Sequence, residues 1–226
     1  MPTLERDGEV FVLDLGDGEN RFHPDWVAGV SALLDEVAAA AGPRGLVTSA
    51  TGKFWSNGLD LDWLGAHPDE LTGYVVAVQE LLARVLVFPA PTVAAVQGHA
   101  FAGGAMLALA HDWRVMRADR GFFSLPEADI RIPFTPGMTA LIMAKLSPSA
   151  ATDAMTTARR YGGDDALKAG IVTATADEGQ VLATAVERVR PLAGKDPVTL
   201  GVIKQRMYGG AVAELRDSAT STLTTG

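Results

Sequence analysis

The stretch Thr92–Met106, TVAAVQGHAFAGGAM, constrains the fold of this chain more than any other. It begins as a β-branched and alanine run. It closes on a paired glycine that opens into an apolar, helix-like segment, Ala105–Ala110. A strand that passes through glycine into a helix start presents bare backbone N–H groups. Helix starts carry unpaired donors and a partial positive charge, and a residue without Cβ lets a substrate approach that backbone closely.

The rest of the chain fits around such a junction. Glu9–Leu15 alternates as a strand, Gly16–Asn20 is turn chemistry, and Pro24–Ala41 is a helix with apolar residues at Val27, Val30, Leu34 and Val37. Gly45–Ala50 is a short buried strand. Thr51–Leu64, TGKFWSNGLDLDWL, is a second strand–glycine–helix junction, with a turn at Ser56–Gly58 and a short helix over Leu59–Leu64. Pro68–Phe88 is one long helix ended by Pro89 and Pro91. Past the organising stretch, Asp112–Met116 and Phe122–Leu125 are strands, and Pro126–Pro136 is irregular. Helices follow at Gly137–Leu146, Ser149–Arg159, Asp164–Ala169, Asp177–Leu192 and Pro197–Arg206, with a strand at Ile171–Thr175. The tail from Gly209 is small and polar, and poor order is expected there. Strands alternate with helices up to residue 136 and helices dominate from 137. An α/β core, 1–136, with a mainly helical region, 137–226, follows from that order.

Composition narrows the function. The 226 residues carry a net charge of −8 and no basic cluster, which argues against nucleic acid. Without a single cysteine, disulfides, thiolate nucleophiles and cysteine–metal sites are excluded. The first residues, MPTLERDGEV, have no apolar signal core, and no apolar run of roughly 18 residues suggests a membrane span. The ending TSTLTTG matches no peroxisomal address, so a cytoplasmic protein is expected. The four histidines show no H-x-x-x-H spacing for zinc, and no G-x-S-x-G elbow accompanies them. His99 reads as a packing or hydrogen-bonding residue, and His111–Asp112 as a helix end. Glu127 follows Pro126 in an apolar setting of Phe122, Phe123, Leu125 and Ile130, where burial would raise its pKa and suit it to acid/base work.

The segments KFWSNGLDL, AVQGHAFAGGAMLALAHDWRVM, FFSLPEADI and YGGDDALKAGIVTA, in this order, resemble the crotonase (enoyl-CoA hydratase/isomerase) superfamily over roughly Glu9 to Arg206. KFWSNGLDLDWL and the lone Glu127 look most like its Δ3,Δ2-enoyl-CoA isomerases. The resemblance implies a crotonase-like spiral of ββα units with a helical C-terminal region, and a homotrimer or dimer of trimers. It implies an acyl-CoA thioester substrate whose carbonyl oxygen sits between the backbone N–H groups of Leu59 and Gly103. No metal or other cofactor is implied, CoA being the substrate's handle. The family's glycine triplet is here Ala102–Gly103–Gly104, which is tolerable if Ala102 needs no positive φ. Of the two family hydratase glutamates, one position holds Met106 and the other holds Glu127. One carboxylate suits a proton shuttle from carbon 2 to carbon 4 of a 3-enoyl thioester better than addition of water.

Other substrate-binding candidates are Lys53, Trp55, Gly58, Asp60, Gly104, Met106 and Phe134. Lys53 is read as meeting a CoA phosphate or as a solvated lysine. Trp55 and Trp63 are read as groove lining or as hydrophobic anchors. Asp60 is read as a helix cap or loop hydrogen-bonder, Asp129 as structural, and Phe134 and Met138 as borders of the acyl pocket. The alternatives to isomerisation are another crotonase reaction (hydration, thioester hydrolysis or C–C cleavage) and a non-catalytic acyl-CoA-binding protein.

Overall fold

The structure is a computed structural model and describes residues 1–221 and 223. It begins with an antiparallel hairpin, β1 (Thr3–Asp7) and β2 (Val10–Asp14), followed by helix α1 (Pro24–Ala39). A pattern then repeats three times, a sheet strand followed by a short strand and a helix. Strands β3 (Gly45–Ser49) and β4 (Phe54–Ser56) lead to α2 (Leu61–Ala66) and α3 (Leu71–Leu86). Strands β5 (Thr92–Val96) and β6 (His99–Phe101) lead to α4 (Gly103–Ala110), and β7 (Trp113–Arg117) and β8 (Phe123–Ser124) lead to α5 (Glu127–Ile130). The remainder is α6 (Pro136–Lys145), α7 (Pro148–Thr157), α8 (Gly163–Lys168), β9 (Ala174–Ala176), α9 (Val181–Val189) and α10 (Pro197–Arg216).

The large sheet has the order β1-β2-β3-β5-β7-β9 and is parallel from β2 onward; the short strands form a second parallel sheet, β4-β6-β8. Each repeat therefore adds one strand to each sheet. Strands β3 and β5 are buried along their whole length, so they read as continuous apolar or small runs. Successive side chains still point to opposite faces. Val93 and Ala95 meet Val181, Ala185 and Val189 of α9, while Ala94 and Val96 enter the larger core with α3 and α4.

Several boundaries differ from those the sequence predicts. Thr92–Phe101 is broken at Gln97–Gly98, where the chain leaves one sheet for the other; a Cβ on Gly98 would stand 2.3 Å from the Lys53 carbonyl oxygen. The edge strand β1 is mostly exposed and has little apolar signal, so no sequence pattern marks it. Pro68–Glu70 is a separate 3-10 turn ahead of α3. Ile171 and Val172 are not in a strand: both donate to the Ala166 carbonyl and close α8, and β9 starts only at Ala174. The polar tail expected from Gly209 is helical to Arg216. There Ala211, Val212 and Leu215 are buried against α3 and α6, and this outweighs the cost of about 1 kcal/mol for each of Gly209 and Gly210. The extreme end of that tail, 222 and 224–226, lies outside the described residues.

Candidate active site

Two loops leave the short sheet side by side. The first follows β4 through Asn57–Gly58–Leu59; the second follows β6 through Ala102 into α4. They touch where neither has a side chain. Gly58 has φ +76°, and a Cβ on it would lie 2.6 Å from the Gly103 nitrogen; one on Gly104 would lie 2.4 Å from the Ser56 oxygen. The first loop is anchored by the Phe22 N–H, which donates to the Gly58 carbonyl at 2.8 Å, and by Ser56 Oγ, which donates to the Asn20 carbonyl at 2.8 Å. Gly103 is the first residue of α4, so its N–H has no acceptor one turn back. Among the described residues neither the Leu59 nor the Gly103 N–H has a hydrogen-bond acceptor.

Ala102 does need a positive φ. It holds φ +49° and ψ −125°, a conformation that favours glycine, so the alanine in place of the first glycine is strained after all. Its own N–H donates to the Ser124 carbonyl at 3.1 Å and its carbonyl accepts from the Met106 N–H at 3.1 Å. Two hydrogen bonds thus hold the turn that exposes the next amide.

A cavity of about 370 Å³ opens between these loops and α5 and α6. Leu59, Ala102, Gly103 and Met106 line it from the two glycine junctions, and Pro126, Glu127, Ile132 and Met138 line it from the segments that follow. Glu127 is the first residue of α5 and only 6% exposed. Its Oε2 is buried with no hydrogen-bond partner among the described residues. Burial pushes its pKa up to about 7, opposed in part by its own backbone N–H. A buried carboxylate oxygen without a partner is costly in a folded protein, and this one lies in the same cavity as two residues, Leu59 and Gly103, whose amides also lack partners among the described residues.

The other carboxylate lining the cavity, Asp62, is exposed and paired with Arg21 Nη1 at 2.5 Å. Met106 is buried against the cavity and supplies no acid or base. Asp60 caps α2, its Oδ1 accepting from the Trp63 N–H at 3.2 Å, while its own N–H donates to the Tyr74 hydroxyl at 2.9 Å. Asp129 is exposed and outside the cavity. His99 accepts from the Phe122 N–H through Nδ1 at 3.2 Å. His111 is buried, with its pKa lowered to about 3 by burial; Nδ1–H donates to the Leu107 carbonyl and Nε2 accepts from Thr48 Oγ1, both at 2.8 Å.

Four candidates stand elsewhere. Trp55 is 0% exposed, with its indole N–H on the Thr48 carbonyl at 3.3 Å, so it anchors the core and does not line the cavity. Lys53 is exposed, its Nζ 5.2 Å from the centre of the Phe54 ring, and it faces a different groove with Gly52, Gln97 and Arg120. Phe134 is half-buried against the main core and outside the cavity lining, and Trp63 stacks on His67 at 4.4 Å. Arg21, Leu61, Phe101, Arg160 and Leu223 line the cavity unforeseen. They come from segments far apart in the chain, and no local pattern marks them. Among the described residues no group of three or more His, Asp or Glu side chains is placed to hold a metal ion.

The sequence pattern described as enoyl-CoA hydratase/isomerase matches residues 10–222 of this chain. "Enoyl-CoA delta isomerase 2, peroxisomal" of Arabidopsis thaliana is 41% identical over 198 residues, which is 81% of this chain and 82% of that protein. Carnitinyl-CoA dehydratase of Escherichia coli K12 is 32% identical over 162 residues, 71% of this chain and 61% of that protein. The crystal structure of human mitochondrial delta3-delta2-enoyl-CoA isomerase superposes with a TM-score of 0.90 at 24% identity, covering 97% of this chain and 88% of that one.

Proposed function

The chain belongs to the enoyl-CoA hydratase/isomerase family, and we propose that within it this protein moves the double bond of a 3-enoyl-CoA to give the trans-2-enoyl-CoA. One observation carries the reading: a single buried carboxylate, Glu127, with a partnerless oxygen, lines the same cavity as Leu59 and Gly103, whose amides are unpaired among the described residues. The Glu127 carboxylate takes a proton from carbon 2 of the acyl chain. The electron pair left behind spreads through the double bond onto the thioester oxygen as a dienolate. Two fixed N–H donors at that oxygen stabilise it, each by roughly 3 kcal/mol. The Glu127 carboxylic acid returns the proton to carbon 4. A group that both accepts and returns a proton works best with a pKa near ambient pH, and about 7 suits it.

Glu127→Gln tests this directly. The variant should lose roughly 10³-fold in kcat while still binding acyl-CoA; full isomerase activity in it would remove Glu127 from the reaction. The dehydratase relative favours a second reading, addition or loss of water across the 2-enoyl bond. Assay with both 3-enoyl-CoA and 2-enoyl-CoA separates the two. With Met106 in place of a second acid, conversion of the former and negligible hydration of the latter is expected.

The rest of the proposal follows from the same site. No metal or redox cofactor enters the reaction, and CoA serves as the substrate's handle. Residues 1–136 supply both amides and Glu127, while 137–226 supply the far wall and the assembly surface. Three chains or two stacked trimers are proposed as the assembly, with exposed Val198, Val202, Ile203 and Met207 of α10 available for contact; sedimentation should report a trimer or hexamer mass. Among the described residues no helix is long and apolar enough to cross a membrane. A cytoplasmic location is proposed against the peroxisomal one in the Arabidopsis relative's name, and cell fractionation decides between them.

A further inference from the structure

A buried polar relay that the proton shuttle does not use ties three helices to the last described residues. Its members are Gln79 on α3, Thr135 at the N-cap of α6, and Ser221, which are 1%, 0% and 3% exposed. Gln79 Nε2 donates to Ser221 Oγ at 2.5 Å, and Ser221 Oγ–H donates to the Asp217 carbonyl at 2.9 Å. On the other side of the amide, Thr135 Oγ1–H donates to Gln79 Oε1 at 2.5 Å, and Thr135 Oγ1 accepts from the Met138 N–H at 3.1 Å. The helices meet closely here: a Cβ on Gly137 would lie 2.7 Å from the Leu215 Cα and 2.8 Å from Gln79 Oε1.

Both ends of the relay reach the cavity. Met138, whose N–H it binds, is one wall, and Leu223, two residues past Ser221, is another. Leu223 is half-buried against the main core. The charged lining residues, Arg21, Asp62 and Arg160, suit the polar part of a ligand. Met138, Ile132 and Leu223 suit hydrocarbon. Matched buried hydrogen bonds demand their geometry at both ends, and a fully satisfied set fixes a single arrangement of the groups it joins.

We propose that Leu223 is an end stop for the acyl chain, and that Gln79, Thr135 and Ser221 are positioning residues that hold it there, so that this relay sets the acyl length the site accepts. The proposal rests on the reading of the cavity as an acyl-thioester site.

The test uses the whole chain, wild type and the variants Leu223→Ala, Leu223→Trp and Ser221→Ala. Each is titrated with saturated acyl-CoAs of increasing chain length, then assayed with 3-enoyl-CoAs of the same lengths. Leu223→Ala should raise the affinity for long over short chains by roughly tenfold, the effect of a methylene or more of pocket space. Leu223→Trp should shift the ratio the opposite way. Ser221→Ala should follow Leu223→Ala in KM for long chains, with kcat on the shortest substrate unchanged, a split that mere loss of stability would not produce. A wild-type ratio in both Leu223 variants overturns the end stop, and a wild-type ratio in Ser221→Ala overturns the relay. Binding does not need turnover: a shifted ratio with Glu127→Gln still active would sink the isomerase mechanism and leave this inference standing. Absence of acyl-CoA binding to the wild type would sink both.

Discussion

On the proposed proton shuttle, Glu127 ties activity as well as stability to pH through one ionisation. Its folded pKa is about 7 against 4.5 for the exposed group. Between these values the folded protein keeps a proton that the unfolded chain has lost. The unfolded state then binds fewer protons, and stability falls as pH rises through the window, by about 3 kcal/mol in all. Below the unfolded value both states are protonated and the cost vanishes. Glu127→Gln should therefore be more stable than the wild type by up to about 3 kcal/mol at pH 8 and equal to it near pH 4, read from urea denaturation at the two pH values. The same ionisation should appear in kcat/KM, rising with pH to a plateau above about 7, because the carboxylate is the form that takes the first proton. The burial of Glu127 and the upward shift of its pKa were legible from its apolar neighbours, but its place in one cavity with Met106, Met138 and Leu59 was not, because these come from three other segments.

At the scale of elements, the two strand–glycine–helix junctions were readable because their chemistry is local. Glycine stands where the backbones touch, and the turn chemistry sits between a β-rich run and an apolar helix. Gly58→Ala places a methyl 2.6 Å from the Gly103 nitrogen on a residue with φ +76°. It should displace both amides and lower kcat/KM about 10²-fold or more, as loss of an oxyanion donor does, measured on folded variant with 3-enoyl-CoA. Ala102→Gly goes the other way. Relief of a positive-φ alanine is worth about 1–3 kcal/mol, and the freer unfolded glycine takes back up to about 1. A net gain of about 1 kcal/mol in urea unfolding is expected, with kcat changed little. The end of α8 at Gly170 was readable, but the break at Gly98 and the late start of β9 were not: the first is decided by the Lys53 carbonyl of another element, and the second by Ile171 and Val172 bonding back to Ala166 before the Thr173 N–H reaches the Arg114 carbonyl.

At the scale of the molecule, α10 folds back over α3 and α6 and is pinned near its middle by a buried ion pair. Lys204 Nζ lies 2.6 Å from Asp112 Oδ2 and donates to the Ala90 carbonyl at 2.7 Å; the same Asp112 oxygen accepts from the Thr92 N–H at 2.8 Å and Thr92 Oγ1 at 3.1 Å. The pair ties the C-terminal helix to the start of β5, the strand that leads to the second strand–glycine–helix junction. Lys204→Met removes one partner and leaves a buried charge, which should cost about 3 kcal/mol in urea unfolding. Asp112→Asn in addition should recover part of that loss. Sequence pattern assigned the first helical turns of this element and lost it at Gly209–Gly210, because helix propensity is local and the burial that overrides it is not.

The residues alone determined the architecture and the chemistry on offer. Buried parallel strands are mostly apolar or small, close backbone contacts call for glycine, and a carboxylate in an apolar setting is suited to acid/base work; each of these is written in residue type and short spacing. Only the tertiary structure decided which side chains share the cavity. It put Trp55 in the core and Lys53 on another face, gave Ala102 its strained turn, and brought Arg21, Arg160 and Leu223 to the same walls as Glu127. Solvent exclusion at a point is the joint result of segments a hundred or more residues apart, and no stretch of sequence carries it by itself.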